Sequence, residues 1–520
     1  MPTSESSVIS LEAGNGKQSR REFLTASMSA AGAAASMPWL AVAAVDSRPL
    51  AGNPPELCRA TVVQLAELIR RREVSSLEVV NALLTRIEQV NPRLNAIVHL
   101  DADGARASAR AADQAIARGG VAGPLHGVPM TIKDSLDTAG MITTGGTMGR
   151  KAFVPDNDAT VVARLRSAGA ILLGKTNTPE LTWSFETRSP VYGRTVNPWN
   201  PAMSPGGSSG GAAAIIAACA SPFDIGSDTG GSIREPAHFC GIAGIKPTSG
   251  RVPRTGHIVG AEGFTQSLTQ LGPMARSVDD LALVLRVIAG PDWKDAAVVP
   301  APLGNHEDVA LRGLRVAMHV DNGLHPPSRE IAKVVQASAE SLQRLGIEIE
   351  EARPDALKDV MALDEDLFRA DGGSWLRSLL ERAGTKEPGP DVALSLKMIA
   401  DLNKREMTAP EFAALLERWD AWRGRMLQFL ARYDAILCPP CALDALPHGA
   451  SDLPETYPAF SYTFAYNMTG WPAAVVRAGT SSQGLPLGVQ VIGRPWREDV
   501  VLALVRAIER SHGGFQPAPV

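Results

Sequence analysis

The feature that most constrains the fold is an alternation of short apolar runs with helix-like segments, which begins near Gly123. Apolar runs of strand length occupy 128–132, 170–173 and 223–225, and a helix-like segment at 159–167 separates the first two. Alternation of this kind is typical of layered proteins in which helices pack against a sheet. The sequence therefore predicts an α/β fold.

Helices are predicted on both sides of this alternating region. Residues 59–92 look helical, with a capping box at Ser75 and Glu78 and a stop at Asn91-Pro92. The segment 328–432 is also mainly helical. We expect this second segment to form a lobe set on the core.

Charge and composition exclude nucleic acid as a partner. The 520-residue chain has 51 Lys and Arg against 55 Asp and Glu, so it lacks the basic surface that binds a polyanion. Aromatic residues make up only 5% of the chain, which also argues against stacking on bases. We predict a small-molecule substrate and no nucleic-acid partner.

The five cysteines are too few, and odd in number, to form a disulfide scaffold. Cys438 and Cys441 have the spacing of a redox pair, but they follow an apolar run and have no second half-site. We interpret them as a structural pair, either buried or bridged. His126 and His238 lack the spacing of metal ligands and are also interpreted as structural.

The first 43 residues are interpreted as an export signal. Arg20 and Arg21 precede an apolar stretch, 24–44, that is rich in Ala, Ser and Gly and is interrupted by Pro38. This arrangement resembles a twin-arginine signal, which directs proteins that fold before they cross the membrane. The predicted location is periplasmic or secreted, without stable membrane insertion once the signal at 1–43 is removed.

Two Gly/Ser clusters and one lysine carry the chemistry of the sequence. The clusters are Gly206–Gly211 (GGSSGG) and Gly226–Arg234 (GSDTGGSIR), and Lys133 ends a strand-like run. Glycine beside serine lets the backbone approach a substrate and offers consecutive N–H groups to an anion. A serine is a useful nucleophile only when a base takes its proton, and a lysine is available here.

Two other motifs match by pattern but not by context. Gly169–Thr176 fits a phosphate-binding loop, but its variable positions are Ala, Ile, Leu and Leu, so this segment is predicted to be a strand. Gly206–Gly210 fits the nucleophile elbow of α/β-hydrolases, which needs a buried strand directly before it. Pro201 and Pro205 exclude that strand, which leaves an α/β-hydrolase-type esterase only as an alternative.

Lys133 and the two clusters, in this order and at this spacing, resemble the amidase signature family of hydrolases. Lys133 and Ser208 are 75 residues apart, and Ser208 and Ser232 are 24 apart. The resemblance covers about 60–290 and returns at Gly484–Gly493. It implies the fold of that family, a mixed central β-sheet sandwiched by helices with a variable helical lobe.

The resemblance also implies how the chain is divided. An amidase domain is expected at 54–515, with its signature core at about 120–290. A variable, mainly helical region is expected at about 300–460, and a part that completes the sheet at 461–515. The family needs neither cofactor nor metal, and we expect a monomer or a homodimer.

The resemblance assigns roles to the site residues. Ser232 is the nucleophile, Ser208 relays the proton after a cis peptide bond from Gly207, and Lys133 is the base. Backbone N–H groups form the oxyanion hole, and they belong to Thr229, Gly230, Gly231 and Ser232. Burial lowers the pKa of a lysine from ~10.4, as a base at this position requires.

Support for the catalytic loops is expected from Asp228 and Arg234, which flank the nucleophile, and from Gly207 and Ser209. A charge-assisted hydrogen bond from either charged side chain would fix the loop.

The substrate pocket is expected near Trp183, Phe185 and Met203, which suit an apolar or aryl amide. Carbamates and esters are further candidate substrates. An amidotransferase subunit of the same family, which works with partner subunits on a transfer RNA substrate, is the main alternative. The predicted export signal argues against it, because that substrate is cytoplasmic.

Overall fold

Apolar runs of the sequence become strands, and most of these strands join one eight-stranded sheet. The computed structural model describes residues 53–263, 267–403, 405 and 407–520, so the predicted signal segment lies outside the described residues. In chain order the strands are β1 (Ile97–Leu100), β2 (Pro129–Lys133), β3 (Ile171–Thr176), β4 (Arg188–Ser189), β5 (Gly193–Arg194), β6 (Phe223–Asp228), β7 (Ala243–Lys246), β8 (Gln270–Ala275), β9 (Arg315–Met318), β10 (Glu348–Glu351), β11 (Ala435–Cys438), β12 (Ala473–Thr480) and β13 (Pro486–Gly493).

Helices precede, interrupt and follow these strands. In chain order they are α1 (Pro54–Arg59), α2 (Val62–Arg70), α3 (Ser76–Leu94), α4 (Ala102–Ala117), α5 (Thr160–Ser167), α6 (Gly210–Ala217), α7 (Arg234–Cys240), α8 (Val278–Ile288), α9 (Arg329–Gln343), α10 (Val360–Arg369), α11 (Ser374–Arg382), α12 (Pro390–Leu402), α13 (Ala409–Leu430), α14 (Ser461–Met468) and α15 (Glu498–Ser511). Helices α10 to α13 follow one another without a strand between them and form the predicted helical lobe.

The large sheet is mixed, as predicted. Its strand order is β10-β9-β11-β13-β12-β7-β8-β6. β9 pairs in parallel with β10 and β11, whereas the other neighbours are antiparallel. β6, β8 and β13 are buried along their whole length, which requires cover on both faces of the sheet. Helices α7 and α15 both pack against β12 and β13.

A smaller sheet, with strand order β1-β3-β2, brings Lys133 to the large one. β2 packs against β6, and Thr131 Oγ1 donates a hydrogen bond of 2.6 Å to Asp224 Oδ2 between these strands. Lys133 is the last residue of β2 and is fully buried. The contact between the strands therefore places the lysine beside the serine-containing end of β6.

Most predicted elements form with small shifts in their ends. The segment 169–176, which matches a phosphate-loop pattern, contains β3 and not a loop, as predicted. The capping box of Ser75 and Glu78 is present and begins α3. The predicted stop at Asn91-Pro92 is wrong, because α3 continues to Leu94 and ends at Asn95 in the left-handed conformation. Asn91 accepts hydrogen bonds from Ala96 and Ile97 and so shapes the turn into β1.

In the described part of the chain, no helix is both long enough and apolar enough to cross a membrane.

Candidate active site

Lys133 lies at the centre of a group of serine hydroxyls. Its Nζ is 2.6 Å from Ser208 Oγ, 2.9 Å from Ser209 Oγ and 2.9 Å from Ser227 Oγ, and hydrogen bonds join it to all three. The two Gly/Ser clusters of the sequence therefore meet at one amine. Ser208 and Ser209 come from the first cluster, and Ser227 comes from the second.

The loop that carries Ser208 is held tightly against the backbone of residues 184–186. The peptide bond between Gly207 and Ser208 is cis, as the resemblance implies. A Cβ atom at Gly207 would lie 2.7 Å from the backbone of Phe185 and Glu186, so only glycine fits there. Helix α6 begins at Gly210, directly after this loop.

The loop before Ser208 also decides against the nucleophile elbow. Residues 200–205 form no strand; Met203 makes only an isolated bridge to Pro447. The elbow places its serine between a buried strand and a helix. The geometry at Ser208 therefore does not support the α/β-hydrolase alternative.

Ser232 lies in the turn between β6 and α7, with 7% of its surface exposed. Its carbonyl oxygen accepts a hydrogen bond of 3.2 Å from Ser209 N, which ties the nucleophile loop to the Ser208 loop. Among the described residues, no hydrogen bond joins the hydroxyls of Ser208 and Ser232. The structure thus contains the first link of the predicted relay, from Lys133 to Ser208, and brings Ser232 alongside.

The hydroxyl partners of Lys133 have different proton roles. Ser209 donates its hydroxyl hydrogen to the carbonyl of Ser227 at 3.3 Å, so its oxygen can only accept from Nζ. A neutral amine needs a donor for its lone pair, which leaves the hydroxyls of Ser208 and Ser227. Ser208 is the closer of the two, which suits it to pass a proton to Lys133.

Burial lowers the pKa of Lys133 to about 7, because the ammonium form loses its hydration. The carboxylates of Asp224 and Asp228 act in the opposite direction and keep the pKa from falling further. The lysine can therefore exist as a neutral amine at physiological pH, as a general base must.

Asp228 and Arg234 form a buried ion pair that fixes the nucleophile loop. Arg234 Nη2 is 2.9 Å from Asp228 Oδ1, and both side chains are fully buried. Asp228 also accepts hydrogen bonds from the N–H groups of Gly231 and Ile233. Burial opposes ionisation of Asp228, but the charge and hydrogen bonds of Arg234 lower its pKa to about 2. The predicted supporting role of these two residues has a clear geometric basis.

The four N–H groups predicted to form an oxyanion hole are not equivalent. The Gly231 N–H donates to Asp228 Oδ1 at 2.9 Å and is occupied within the loop. Within the described residues, the N–H groups of Thr229, Gly230 and Ser232 have no hydrogen-bond acceptor. They are therefore the better placed donors for a developing oxyanion, and the role of the set remains a prediction.

An aromatic wall stands next to the nucleophile loop. Phe185 stacks on Phe460 with ring centroids 4.3 Å apart and lies 5.6 Å from the ring of Phe464. A Cβ atom at Gly230 would be 3.1 Å from Phe464 and 3.6 Å from Phe185. Phe185 therefore lies beside the loop of Ser232, and its contact with a substrate stays a prediction.

The other two predicted pocket residues have different surroundings. Trp183 packs against Phe368 and Trp375 of the helical lobe, with ring centroids 5.4 and 5.6 Å away. Met203 is partly buried against the hydrophobic cluster that includes Phe460 and Phe464. Their contact with a substrate stays a prediction.

Several functional neighbours were missed in the sequence. Ser227 lies directly before Asp228 in the second motif, at the end of β6. Its place at the end of a buried strand, like that of Lys133, could have indicated that it lies in the site. The aromatic wall also had a signal, since three of the five tyrosines and two phenylalanines fall within 457–466. Asn467 and Gln490 bind Arg234 from more than 230 residues away, and nothing local in the sequence indicates this.

A buried glutamate, Glu235, was also missed. Its Oε2 accepts a hydrogen bond of 3.5 Å from the N–H of Gly207, the residue before Ser208. Burial raises the pKa of Glu235 well above its usual value, which favours the neutral carboxyl.

The histidines and cysteines that the sequence singles out have structural partners. His126 accepts a hydrogen bond from Ala122 N, and His238 accepts one from Gly488 N. Cys438 and Cys441 are buried free thiols and not a disulfide, so of the two predicted forms the buried one is present. Burial raises the pKa of Cys438 to about 12, which makes its thiolate scarce. The described residues contain no group of three or more side chains that could hold a metal ion.

The chain is similar to known proteins in both sequence and fold. The Amidase family model matches residues 78–502. A glutamyl-tRNA(Gln) amidotransferase subunit from Roseiflexus castenholzii is 38% identical over 487 residues, which cover 87% of this chain and 96% of that protein. A 6-aminohexanoate cyclic dimer hydrolase complexed with substrate has a TM-score of 0.77 at 28% identity, covering 88% of this chain and 98% of that one. Fatty acid amide hydrolase has a TM-score of 0.80 at 26% identity, covering 88% and 86% respectively.

Proposed function

The chain belongs to the amidase signature family, and from this premise we propose that it hydrolyses carboxamide C–N bonds through an acyl-enzyme on Ser232. The observation that carries the proposal is the buried amine of Lys133, whose pKa burial lowers to about 7, at 2.6 Å from the hydroxyl of Ser208. A lysine in this state can accept the proton that a serine nucleophile must lose.

The proposed reaction has two halves. In the first, Ser232 Oγ attacks the amide carbonyl while its proton passes through Ser208 to Lys133, and the N–H groups of Thr229, Gly230 and Ser232 stabilise the oxyanion. Lys133 then returns the proton through Ser208 to the leaving amine. In the second half, water attacks the acyl-enzyme by the same proton route and releases the acid. Esters and carbamates can form the same acyl-enzyme.

The aromatic wall supports an apolar or aryl acyl group. Phe185, Phe460 and Phe464 present rings and no charge beside the nucleophile loop. Such surfaces gain free energy by removing apolar area of a ligand from water, at about 25 cal/mol per Å². They offer no partner to the carboxylate of a free amino acid.

A glutamine-dependent amidotransferase subunit is the second candidate, and the names of the relatives favour it. The relative with 38% identity is one of the subunits of a glutamyl-tRNA(Gln) amidotransferase. Such a protein would release ammonia from glutamine and would be isolated with partner chains. The aromatic wall favours the hydrolase, because the carboxylate of glutamine needs a cationic partner and the rings of the wall offer none.

One assay separates the two candidates. Purified protein is given glutamine or the para-nitroanilides of acetic, phenylacetic and hexanoic acid, with ammonia or nitroaniline as the readout. We expect hydrolysis of the anilides, loss of turnover in Ser232→Ala, and losses of at least ~10²-fold in Ser208→Ala and Lys133→Ala. Full activity in Lys133→Ala would falsify the mechanism. Activity on glutamine alone, with a co-purifying partner, would establish the amidotransferase instead.

A further inference from the structure

Asp364 is a buried acidic residue of the helical lobe. It lies on α10, with only 3% of its surface exposed. Among the described residues, its one hydrogen-bond donor is Tyr457, whose hydroxyl lies 2.9 Å from Oδ2. In the described chain, no hydrogen bond or ion pair joins Asp364 to a lysine or arginine. Because an isolated carboxylate is costly to bury, its presence in an apolar cluster requires a reason.

The neighbouring acidic residue on the same helix shows the ordinary arrangement. Asp366 accepts hydrogen bonds from Arg369 at 2.6 Å and from Arg418 at 2.9 Å. Both of these arginines are partly exposed, so this ion-pair network faces solvent. The solvent-facing carboxylate of Asp366 is thus paired with cations, whereas the buried carboxylate of Asp364 is hydrogen-bonded to the hydroxyl of Tyr457.

Aromatic rings accompany Asp364 on two sides. Tyr457, its hydrogen-bond partner, has its ring centroid 6.4 Å from that of Phe185. Phe368 follows Asp364 by one helical turn on the same face, and its ring meets Trp183 edge to face at 5.4 Å. We call Trp183, Phe185, Phe368 and Tyr457 the aromatic box.

The aromatic box is continuous with the nucleophile loop. Phe185 belongs to both the box and the wall beside Gly230, two residues before Ser232. Tyr457 also lies 5.2 Å, centroid to centroid, from Phe464 of that wall. The box is not sealed, since Tyr457 is 38% exposed and Trp183 and Phe368 are only half-buried. The aromatic box and the nucleophile loop therefore share one partly exposed aromatic surface.

We propose that Asp364 is a specificity-determining residue that binds an ammonium group at the far end of the acyl part of the substrate, inside the aromatic box. The inference rests on the proposed function and deepens it. A cation is attracted both by the carboxylate and by the faces of aromatic rings, so this combination of groups selects a protonated amine over a neutral group of the same size. Burial raises the pKa of Asp364 to about 7, and a bound cation would favour its ionised form.

The test compares matched substrates that differ only in charge. Para-nitroanilides of ω-amino acids are assayed against those of fatty acids in which a methyl group replaces the ammonium, over a series of chain lengths. We expect kcat/KM to be at least ~10-fold higher for one or more ω-aminoacyl substrates than for the methyl partner, as a buried charge pair gives. Asp364→Asn should remove this preference through KM, with a larger loss on the ω-aminoacyl series than on the methyl series.

Two further variants complete the comparison. Tyr457→Phe keeps the aromatic ring but removes the hydroxyl that donates to Asp364 Oδ2. The carboxylate is still present, so the preference for substrates with an ammonium group should persist. Asp366→Asn, on the solvent side of the same helix, should change neither series. Equal losses on both series in Asp364→Asn would show that Asp364 only holds Tyr457 in place and would overturn the proposal. So would equal kcat/KM values for the two series in the unaltered protein.

A binding measurement makes the inference independent of turnover. The rate at which a fluorophosphonate labels Ser232 is measured with phenethylamine or with phenethyl alcohol present. In the unaltered protein, phenethylamine should slow labelling more than phenethyl alcohol does. In Asp364→Asn, the two compounds should slow labelling equally. If the methyl series is hydrolysed but neither test finds a charge preference, the inference fails and the proposed function stands. If Ser232 is not labelled and no anilide is hydrolysed, the proposed function fails with it.

Discussion

At the scale of single residues, the protonation of Lys133 controls the proposed chemistry. Burial lowers the pKa of Lys133 to about 7, and the active form is the neutral amine. We therefore expect kcat/KM to fall about tenfold per pH unit below an apparent pKa of about 7 and to level off above it. A pH–rate profile on an anilide checks this. A limb near the ordinary lysine value of ~10.4 would contradict it, and Lys133→Arg should be inactive throughout because its guanidinium keeps its proton.

Ser227 and Ser209 should set the pH at which the acidic limb of the pH–rate profile falls, although neither of them passes the proton to Lys133. Each hydroxyl oxygen accepts from Lys133 Nζ at 2.9 Å and so stabilises the ammonium. Removing either acceptor in Ser227→Ala or Ser209→Ala should move the acidic limb of the profile to lower pH by about one to two units, since hydrogen bonds to charged groups are worth ~1.5–3 kcal/mol. The pH–rate profile of each variant provides the measurement.

Ser221 offers a matched control for these two variants. Its side chain is buried, but it bonds to Thr131 and to the carbonyl of Phe223 and makes no hydrogen bond to Lys133. Ser221→Ala should leave the limb in place. An equal shift in all three variants would mean that the limb reports general loosening of the site.

At the scale of elements, one arginine joins three parts of the chain at the nucleophile. From the start of α7, Arg234 pairs with Asp228 at the end of β6 and donates to Gln490 on β13 at 2.8 Å. It also donates to Asn467 on α14. The loop of Ser232 is thus anchored by residues that are far apart in sequence.

Removing this arginine should destabilise the fold as well as the site. Arg234→Gln leaves the buried carboxylate of Asp228 without its cation, a change that typically costs ~3–5 kcal/mol in free energy of unfolding. Arg497→Gln breaks the half-exposed pair with Asp499 and should cost no more than ~1 kcal/mol. Urea unfolding of both variants, followed by tryptophan fluorescence, provides the comparison. Equal stability of the two would show that the buried network contributes little.

The strands of the site were predictable because their sequences match their surroundings. β2, β3 and β6 are fully buried and each contains a short apolar run, and Lys133 and Ser227 lie at the ends of β2 and β6. β10 was missed because its sequence is Glu-Ile-Glu-Glu and it lies inside a region that looks helical. It forms the exposed edge of the large sheet, where charged side chains prevent further pairing.

The aromatic box was less predictable than Lys133, Ser208 and Ser232, because its residues are far apart in the sequence. Lys133, Ser208 and Ser232 belong to motifs that can be read locally. The aromatic box instead combines the 183–185 loop with residues of α10 and with Tyr457, and only the folded chain brings these together. Composition indicates that aromatic side chains are few, but not that several of them converge.

At the scale of the whole molecule, the two candidate functions differ in where the protein must be. An amidotransferase acting on transfer RNA requires the cytoplasm, whereas a hydrolase of small amides can work outside it. The Arg20-Arg21 sequence suggests the twin-arginine route, which carries proteins already folded. This route suits a site such as that of Lys133, which exists only when segments distant in sequence have come together.

We therefore expect protein expressed from the full-length sequence to be recovered, active, in the periplasmic or secreted fraction. Arg20→Lys with Arg21→Lys should keep it in the cytoplasm, and Lys17→Gln, which removes a nearby charge outside the pair, should not. Fluorophosphonate labelling of Ser232 in each fraction measures location and folding together, because only a formed site reacts. Export of the double variant at the normal level would refute the signal, and labelled protein held in the cytoplasm with partner chains would favour the amidotransferase. Labelled protein outside the cytoplasm, free of partners, is the result that the hydrolase requires.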